Sequence, residues 1–306
     1  MGKIEGKSNG SAGYETAAQI VDEAREFTRS RWNQFSTRAR NNQEMPDYWA
    51  EFRHDPHTSL VGLDYKLLGV PDEEFLETAK EFRSRVMRAL GSDQYLMSDF
   101  TLTPISHLHL TIQVAPSQML AEALRSHRRR GSIVDVETDY GKLLEAHPLH
   151  RRVQKITART APFDVSFEGI NVYGAAVVID VAPDTWPSLV EVSRALKKLP
   201  EFDYVKPNPF ISPRVHGFAP HVVLGRFGMS ETSGASANKY FDVMNEFRQS
   251  HPSFGSWRAV GLELSLGRAV VAKHFLVHPA ADAKFLAMRD INTGAVPESV
   301  PTAADI

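Results

Sequence analysis

The strongest constraint on this chain is the stretch Pro104–Val114, PISHLHLTIQV, in which His107, His109 and Thr111 recur at intervals of two between apolar residues. Successive side chains of a β-strand point to opposite faces. An extended strand would therefore put both imidazoles and the hydroxyl on one surface, with Leu108, Leu110 and Ile112 on the other. The same grammar returns at Ala219–Phe227, APHVVLGRF, where His221 opens a second run of strand-forming residues introduced by a proline. A chain that repeats one phrase in this way is expected to place two histidine strands in related positions.

With 306 residues, 42% of them hydrophobic, the chain is long enough for one large domain or two lobes around a substantial core. Lys and Arg number 35 against 37 Asp and Glu, a formal charge of -2, so no global basic field is present to hold long nucleic acids. A small phosphorylated ligand or a short RNA end is compatible with that balance. The absence of cysteine excludes disulfides, thiolate nucleophiles and Cys-based metal sites. The first residues lack the apolar core of a secretory signal, and no apolar run reaches the length of a membrane span. A cytoplasmic protein with no membrane partner is expected.

Along the chain, residues 1–13 are rich in Gly, Ser and Lys and read as disordered. Helical spacing of Ala17, Ile20, Val21, Ala24, Phe27 and Trp32 predicts one helix between Tyr14 and about Asn42. Residues 1–57 thus form an N-terminal extension. Thr58–Leu68 reads as a strand, Gly69-Val70-Pro71-Asp72 as a turn, and 72–91 as an amphipathic helix. Tyr95–Leu102 resumes β character, and Pro104 leads into the histidine strand. Residues 117–150 read as mainly helical, with a solvated basic run at His127–Arg130; His147 and His150 show no partner pattern. In the second half, Phe163–Glu168 alternates as a strand and Gly169 breaks it. Val172–Val181 forms a further strand, and Pro183-Asp184 starts a helix that Pro200 stops. A Pro-rich loop at 205–220 leads to the His221 strand, a helix over 237–250, and a closing hairpin of Trp257–Leu266 and Ala269–Val277. The tail 281–306 reads as irregular, leaving a central domain at 58–280.

His109-Leu110-Thr111-Ile112 resembles the first H-x-T-x motif of the 2H phosphoesterase superfamily, which includes 2′-5′ RNA ligase-like proteins and 2′,3′-cyclic phosphodiesterases. His221-Val222-Val223-Leu224, followed by Gly225-Arg226, resembles the second, and the intervening FDVSFEGINVYGAAVVIDV with its helix resembles the family's connecting elements. The resemblance covers about residues 58–278. It implies an α+β, bilobal fold: two pseudo-symmetric lobes whose antiparallel sheets face a central cleft, each contributing one motif. It also implies a phosphodiesterase acting on a 2′,3′-cyclic phosphate or a 2′-5′ linked nucleotide or RNA end, with no metal and no cofactor. His109 and His221 would be the catalytic pair, and Thr111, His107 and Arg226 would bind substrate.

The chemistry fits independently of the family. Opening a cyclic phosphodiester needs a base to take a proton from water and an acid to protonate the departing ribose oxygen, and imidazole titrates near working pH. A hydroxyl two residues after each histidine is placed to donate to a phosphate oxygen. Val223 stands where the second hydroxyl is expected. Arg226, Ser212 or His216 could replace it, although simple alternation puts Arg226 on the face opposite His221. Two other readings remain open at this level. One is a binding module that keeps the cleft without turnover. The other is a metal site built on His107-x-His109 with His216 or His221.

Overall fold

One strand, β4 (Phe163–Tyr173), organises the sheet because it pairs with different partners at its two ends. The computed structural model describes residues 16–47, 63–89, 100–114, 148–202, 219–228, 236–266 and 269–276. The other elements are α1 (Ala17–Arg40), β1 (Leu63–Pro71), α2 (Glu73–Ala89), β2 (Phe100–Leu102), β3 (Thr111–Val114), α3 (Pro148–Thr157), β5 (Ala176–Val181), α4 (Trp186–Lys197), β6 (His221–Phe227), α5 (Ala237–Ser250), β7 (Ser253–Leu266) and β8 (Ala269–Phe275). The fold is α+β with an antiparallel sheet in the order β2-β6-β5-β4-β7-β1-β3, and β8 joins it beside β7. The N-terminal part of β4 pairs with β7, from Phe163↔Ala259 to Glu168↔Ser253, and the C-terminal part with β5, from Phe167↔Val181 to Tyr173↔Ala176. The two halves of the sheet therefore share β4.

The strand break expected at Gly169 is instead a bulge inside β4. A Cβ there would lie 2.9 Å from the His251 carbonyl oxygen, so the bulge needs a glycine. The chain reverses at Gly174, whose φ of 58° is left-handed. Similarly, Gly69–Pro71 is not a turn: β1 continues to Pro71, paired with Trp257. The helix starts at Asp72, whose Oδ1 accepts the Phe75 N–H at 2.8 Å while Oδ2 accepts the Ser256 N–H and hydroxyl at 2.7 Å each. That single carboxylate caps α2 and ties it to β7.

Apolar faces at helical spacing then close the core. Phe75 and Phe82 of α2, Tyr240 and Phe247 of α5, and Phe100, Phe227 and Phe254 of the sheet are fully buried. Each contributes roughly 1.5–3 kcal/mol on burial. Helix α1 is part of this core, with Ile20, Ala24, Phe27 and Phe35 buried. A capping box starts it, with Gln19 N–H donating to the Thr16 hydroxyl and Thr16 N–H to the Gln19 side chain. His150 has a partner that its local sequence does not announce. It stacks on His274 of β8 at 5.2 Å, with Nδ1 and Nε2 of the two rings 3.1 Å apart. No helix among the described residues is long and apolar enough to cross a membrane. The expected disorder at 1–13, the mainly helical stretch at 117–150 up to residue 147 with its basic run at 127–130, the Pro-rich loop at 205–220 up to residue 218 and the tail lie outside the described residues.

Candidate active site

The two histidines are held in the same way by their local backbone. His109 Nδ1–H donates to the His107 carbonyl at 2.8 Å, and His221 Nδ1–H donates to the Ala219 carbonyl at 2.7 Å. Because a carbonyl oxygen only accepts, the neutral rings are assigned the Nδ1 tautomer, and each Nε2 carries the lone pair available for chemistry. The strand expected to begin at Pro104 is interrupted by a 3-10 turn at Ile105–His107. His107 is therefore not in the strand register that would align its ring with His109 and Thr111; it contributes the carbonyl that fixes the His109 ring.

The two motif strands meet. Leu110 and Val222 form an antiparallel bridge, so the segment entering β3 and strand β6, far apart along the sheet's path, come together at the histidines. Leu110 and Val222 are both fully buried, whereas His109, Thr111, His221 and Val223, one residue to either side, are part-exposed. Alternation puts these four on the face opposite Leu110 and Val222. Continuing the bridge register sets Thr111 across from His221 and Val223 across from His109.

Each motif ends in a one-residue bulge at the same position. In β3, Lys66 pairs with Thr111 and Tyr65 with Gln113, leaving Ile112 extra. In β6, Val178 pairs with Val223 and Val177 with Gly225, leaving Leu224 extra. A bulge resets the alternation. Gln113 thereby turns away from the histidine face and accepts from the Ser193 hydroxyl of α4 at 3.3 Å. Arg226 pairs with Ala176, which shares a face with Val178 and Asp180, and so with Val223 and His221. The expectation that Arg226 lies opposite His221 is corrected: the bulge returns it to the histidine face. A Cβ on Gly225 would collide with the Phe100 ring and lie 2.8 Å from the Thr101 carbonyl oxygen, which accounts for glycine before the arginine.

Burial lowers the pKa of both rings. Burial pushes the His109 pKa down to about 4, helped by the Lys66 and Arg226 cations and by His221, against the pull of the His107 carbonyl. Burial also lowers His221, with the Ala219 carbonyl opposing and Arg226 assisting. Lys66, 8% exposed and directly opposite Thr111, was not singled out from sequence. Its signal was present as the polar phase of Leu63-Asp64-Tyr65-Lys66-Leu67. Thr101 was also missed. It pairs with Arg226, and its buried hydroxyl has no hydrogen-bond partner among the described residues. It is a candidate for the donor missing at Val223; Ser212 and His216, considered from sequence, lie outside the described residues.

Among the described residues, no group of three or more His, Asp or Glu side chains is placed to hold a metal. Two cavities, of about 620 Å³ between α3 and α4 and about 370 Å³ between α4 and the start of α1, have none of the motif residues in their walls.

Two histidines with matched carbonyl anchors, one just before β3 and one opening β6, thus flank a single bridge between the two sheet halves. The fold is the α+β, antiparallel one that the resemblance to the 2H phosphoesterases implied. No protein-family model matches it, and no curated protein does. Similar solved structures include TT0787 of Thermus thermophilus, at 16% identity over 70% of this chain and 97% of that one, with a TM-score of 0.38. A conserved protein of unknown function, ATU0111 of Agrobacterium tumefaciens, matches at 13% identity over 67% and 79% of the two chains, with a TM-score of 0.40. Usb1 of Kluyveromyces marxianus matches at 11% identity over 71% and 98%, with a TM-score of 0.38.

Proposed function

We propose that the chain is a metal-independent phosphodiesterase that opens a 2′,3′-cyclic phosphate or cleaves a 2′-5′ linkage at a nucleotide or short RNA end. The observation that carries this reading is the mirrored pair of imidazoles, each with Nδ1 occupied by a carbonyl and Nε2 left for proton transfer. His109, kept neutral by burial and two cations, is the base. Its Nε2 takes a proton from water as the water oxygen bonds to phosphorus. The bond from phosphorus to the ribose oxygen breaks, and His221 Nε2–H protonates that oxygen, leaving a phosphomonoester. Thr111, Lys66 and Arg226 bind the phosphate oxygens and stabilise the charge that builds on them. Imidazoles perform both proton transfers, so the reaction as written uses no metal and no cofactor.

Val223 supports a second reading, in which the same cleft binds such a nucleotide without turning it over. One experiment separates the two: hydrolysis of nucleoside 2′,3′-cyclic phosphates and 2′-5′ dinucleotides in excess EDTA, with wild type, His109→Ala and His221→Ala. Turnover that survives EDTA and vanishes in both variants is the expected result. Binding without turnover across the panel would move the chain to the binding class.

A further inference from the structure

We propose that helix α1 holds His221 in its working orientation through a buried chain of Asn171, Asp180 and Tyr173, which makes Tyr173 a positioning residue for the proposed reaction. This rests on the two-histidine reading above and assigns a role to the N-terminal extension that the motifs leave without one.

Asn171 uses its whole side chain in the link. Its Nδ2 donates at 2.8 Å to the Thr28 carbonyl of α1 and at 2.8 Å to Asp180 Oδ2, while its Oδ1 accepts the Val172 N–H at 2.8 Å. The second oxygen of Asp180 accepts the Tyr173 hydroxyl at 2.5 Å. The Tyr173 ring, fixed at its far end by that bond, lies edge-on to the His221 imidazole at 5.2 Å and 66°. It also meets Phe27 of α1 edge-on at 5.1 Å and 78°. Asp180 is itself the cross-strand partner of His221 in the β5–β6 ladder. His221 therefore rests on a tyrosine held between a carboxyl group and the N-terminal helix.

Asn171 and Asp180 are essentially inaccessible and Tyr173 nearly so. Burying a carboxyl is costly even when every oxygen has a donor, and an apolar replacement of similar volume is often no less stable. Burial raises Asp180 to about 6, against the two hydrogen bonds and Arg248, with Glu168 adding to the rise. Tyr173 rises as well, through burial and Asp180, with Arg31 and Arg248 opposing. His109, by contrast, faces Lys66 and Arg226.

The test is Tyr173→Phe, which keeps the ring and removes the hydroxyl, with Phe27→Leu in α1 as a variant that leaves the hydrogen bonds intact. Two readouts are taken: NMR titration of the His221 ring, which needs no substrate, and kcat, KM and the pH profile on a nucleoside 2′,3′-cyclic phosphate. Expected are a displaced His221 titration in each variant, a kcat loss of about tenfold for Tyr173→Phe with KM within about twofold, and movement of the pH limb that reports His221. If Tyr173→Phe does not fold, Phe27→Leu carries the same comparison. An unchanged His221 titration in the folded variants overturns the proposal. If wild type hydrolyses nothing in the panel, the proposed activity falls, and the NMR titration still decides the positioning.

Discussion

Thr111 lies across from His221, and its counterpart Val223 lies across from His109, in the register that the Leu110–Val222 bridge sets. The site is thus two-fold in backbone and one-fold in hydroxyls. Only the His109 side lacks a side-chain O–H from the opposing motif, and that is the side where two cations act. Removing one preorganised donor of this kind costs roughly a hundred- to a thousandfold in turnover. With Lys66 and Arg226 already present, Val223→Thr should restore part of this, raising kcat about tenfold with little change in folding stability. Steady-state kinetics checks it; a turnover no higher than wild type would show that the cations have fully replaced the hydroxyl.

The two pKa shifts predict an acidic optimum. His109 must be neutral to act as base, so kcat/KM should rise with pH through about 4. His221 must be protonated to act as acid, and burial holds its pKa below 6.5, so activity should fall before pH 6.5 is passed. A bell-shaped profile within that window is expected. Lys66→Met removes a cation that depresses His109, so it should shift the acidic limb upward and raise KM. Profiles of the two proteins on one cyclic substrate test this, and an unmoved acidic limb would exclude Lys66 as a cause.

The extent to which the site was legible depends on what each signal measures. Helices α2, α4 and α5 were legible because Phe75, Phe82, Leu189, Leu196, Tyr240 and Phe247 repeat at the spacing that buries one face. His109, Thr111 and His221 were legible because period-two alternation holds within each motif. The face of Arg226 was not, since a bulge changes the parity without changing the composition, and the two bulges follow from pairing with β1 and β5. His107 was misplaced for a related reason: a single turn between Pro104 and Leu108 looks extended by composition alone. The Asp180–Tyr173 pair and the His150–His274 stack join residues 7 and 124 positions apart, and nothing local in those segments marks them as partners.

The bulge at Leu224 depends on Gly225, which gives a test of site geometry that alters no functional group. In Gly225→Ala the new Cβ meets the Phe100 ring and the Thr101 carbonyl oxygen. Strand β2 must move away from β6, or the bulge must relax and carry Arg226 off the histidine face. The expected outcome is a loss of stability of roughly 1–3 kcal/mol, as for overpacking, together with a raised KM. Urea unfolding and kinetics on the same preparation check it. Native stability and native KM together would show that the strands absorb a methyl group freely.

The His150–His274 stack should make stability fall in mild acid. Burial, together with His150, pushes the His274 pKa down to about 4, whereas in the unfolded chain it returns to about 6.5. Between those values the unfolded chain binds more protons, so this ring's contribution to stability is complete above about pH 6.5 and is lost as pH falls from there through about 4. His274→Phe keeps the aromatic packing beside Tyr65, whose ring lies 6.2 Å away, but removes both the hydrogen bond and the titration. At pH 7.5 the variant should be less stable by about 1–3 kcal/mol, the cost of leaving a buried His150 nitrogen without its partner. Near pH 4.5 the gap should shrink, because only the wild type has lost the contribution of a neutral His274 ring. Ionisable groups away from the His150–His274 pair are common to both proteins and largely cancel in the difference. Urea unfolding at the two pH values gives the answer, and a gap of equal size at both would mean that His274 does not titrate between them on folding.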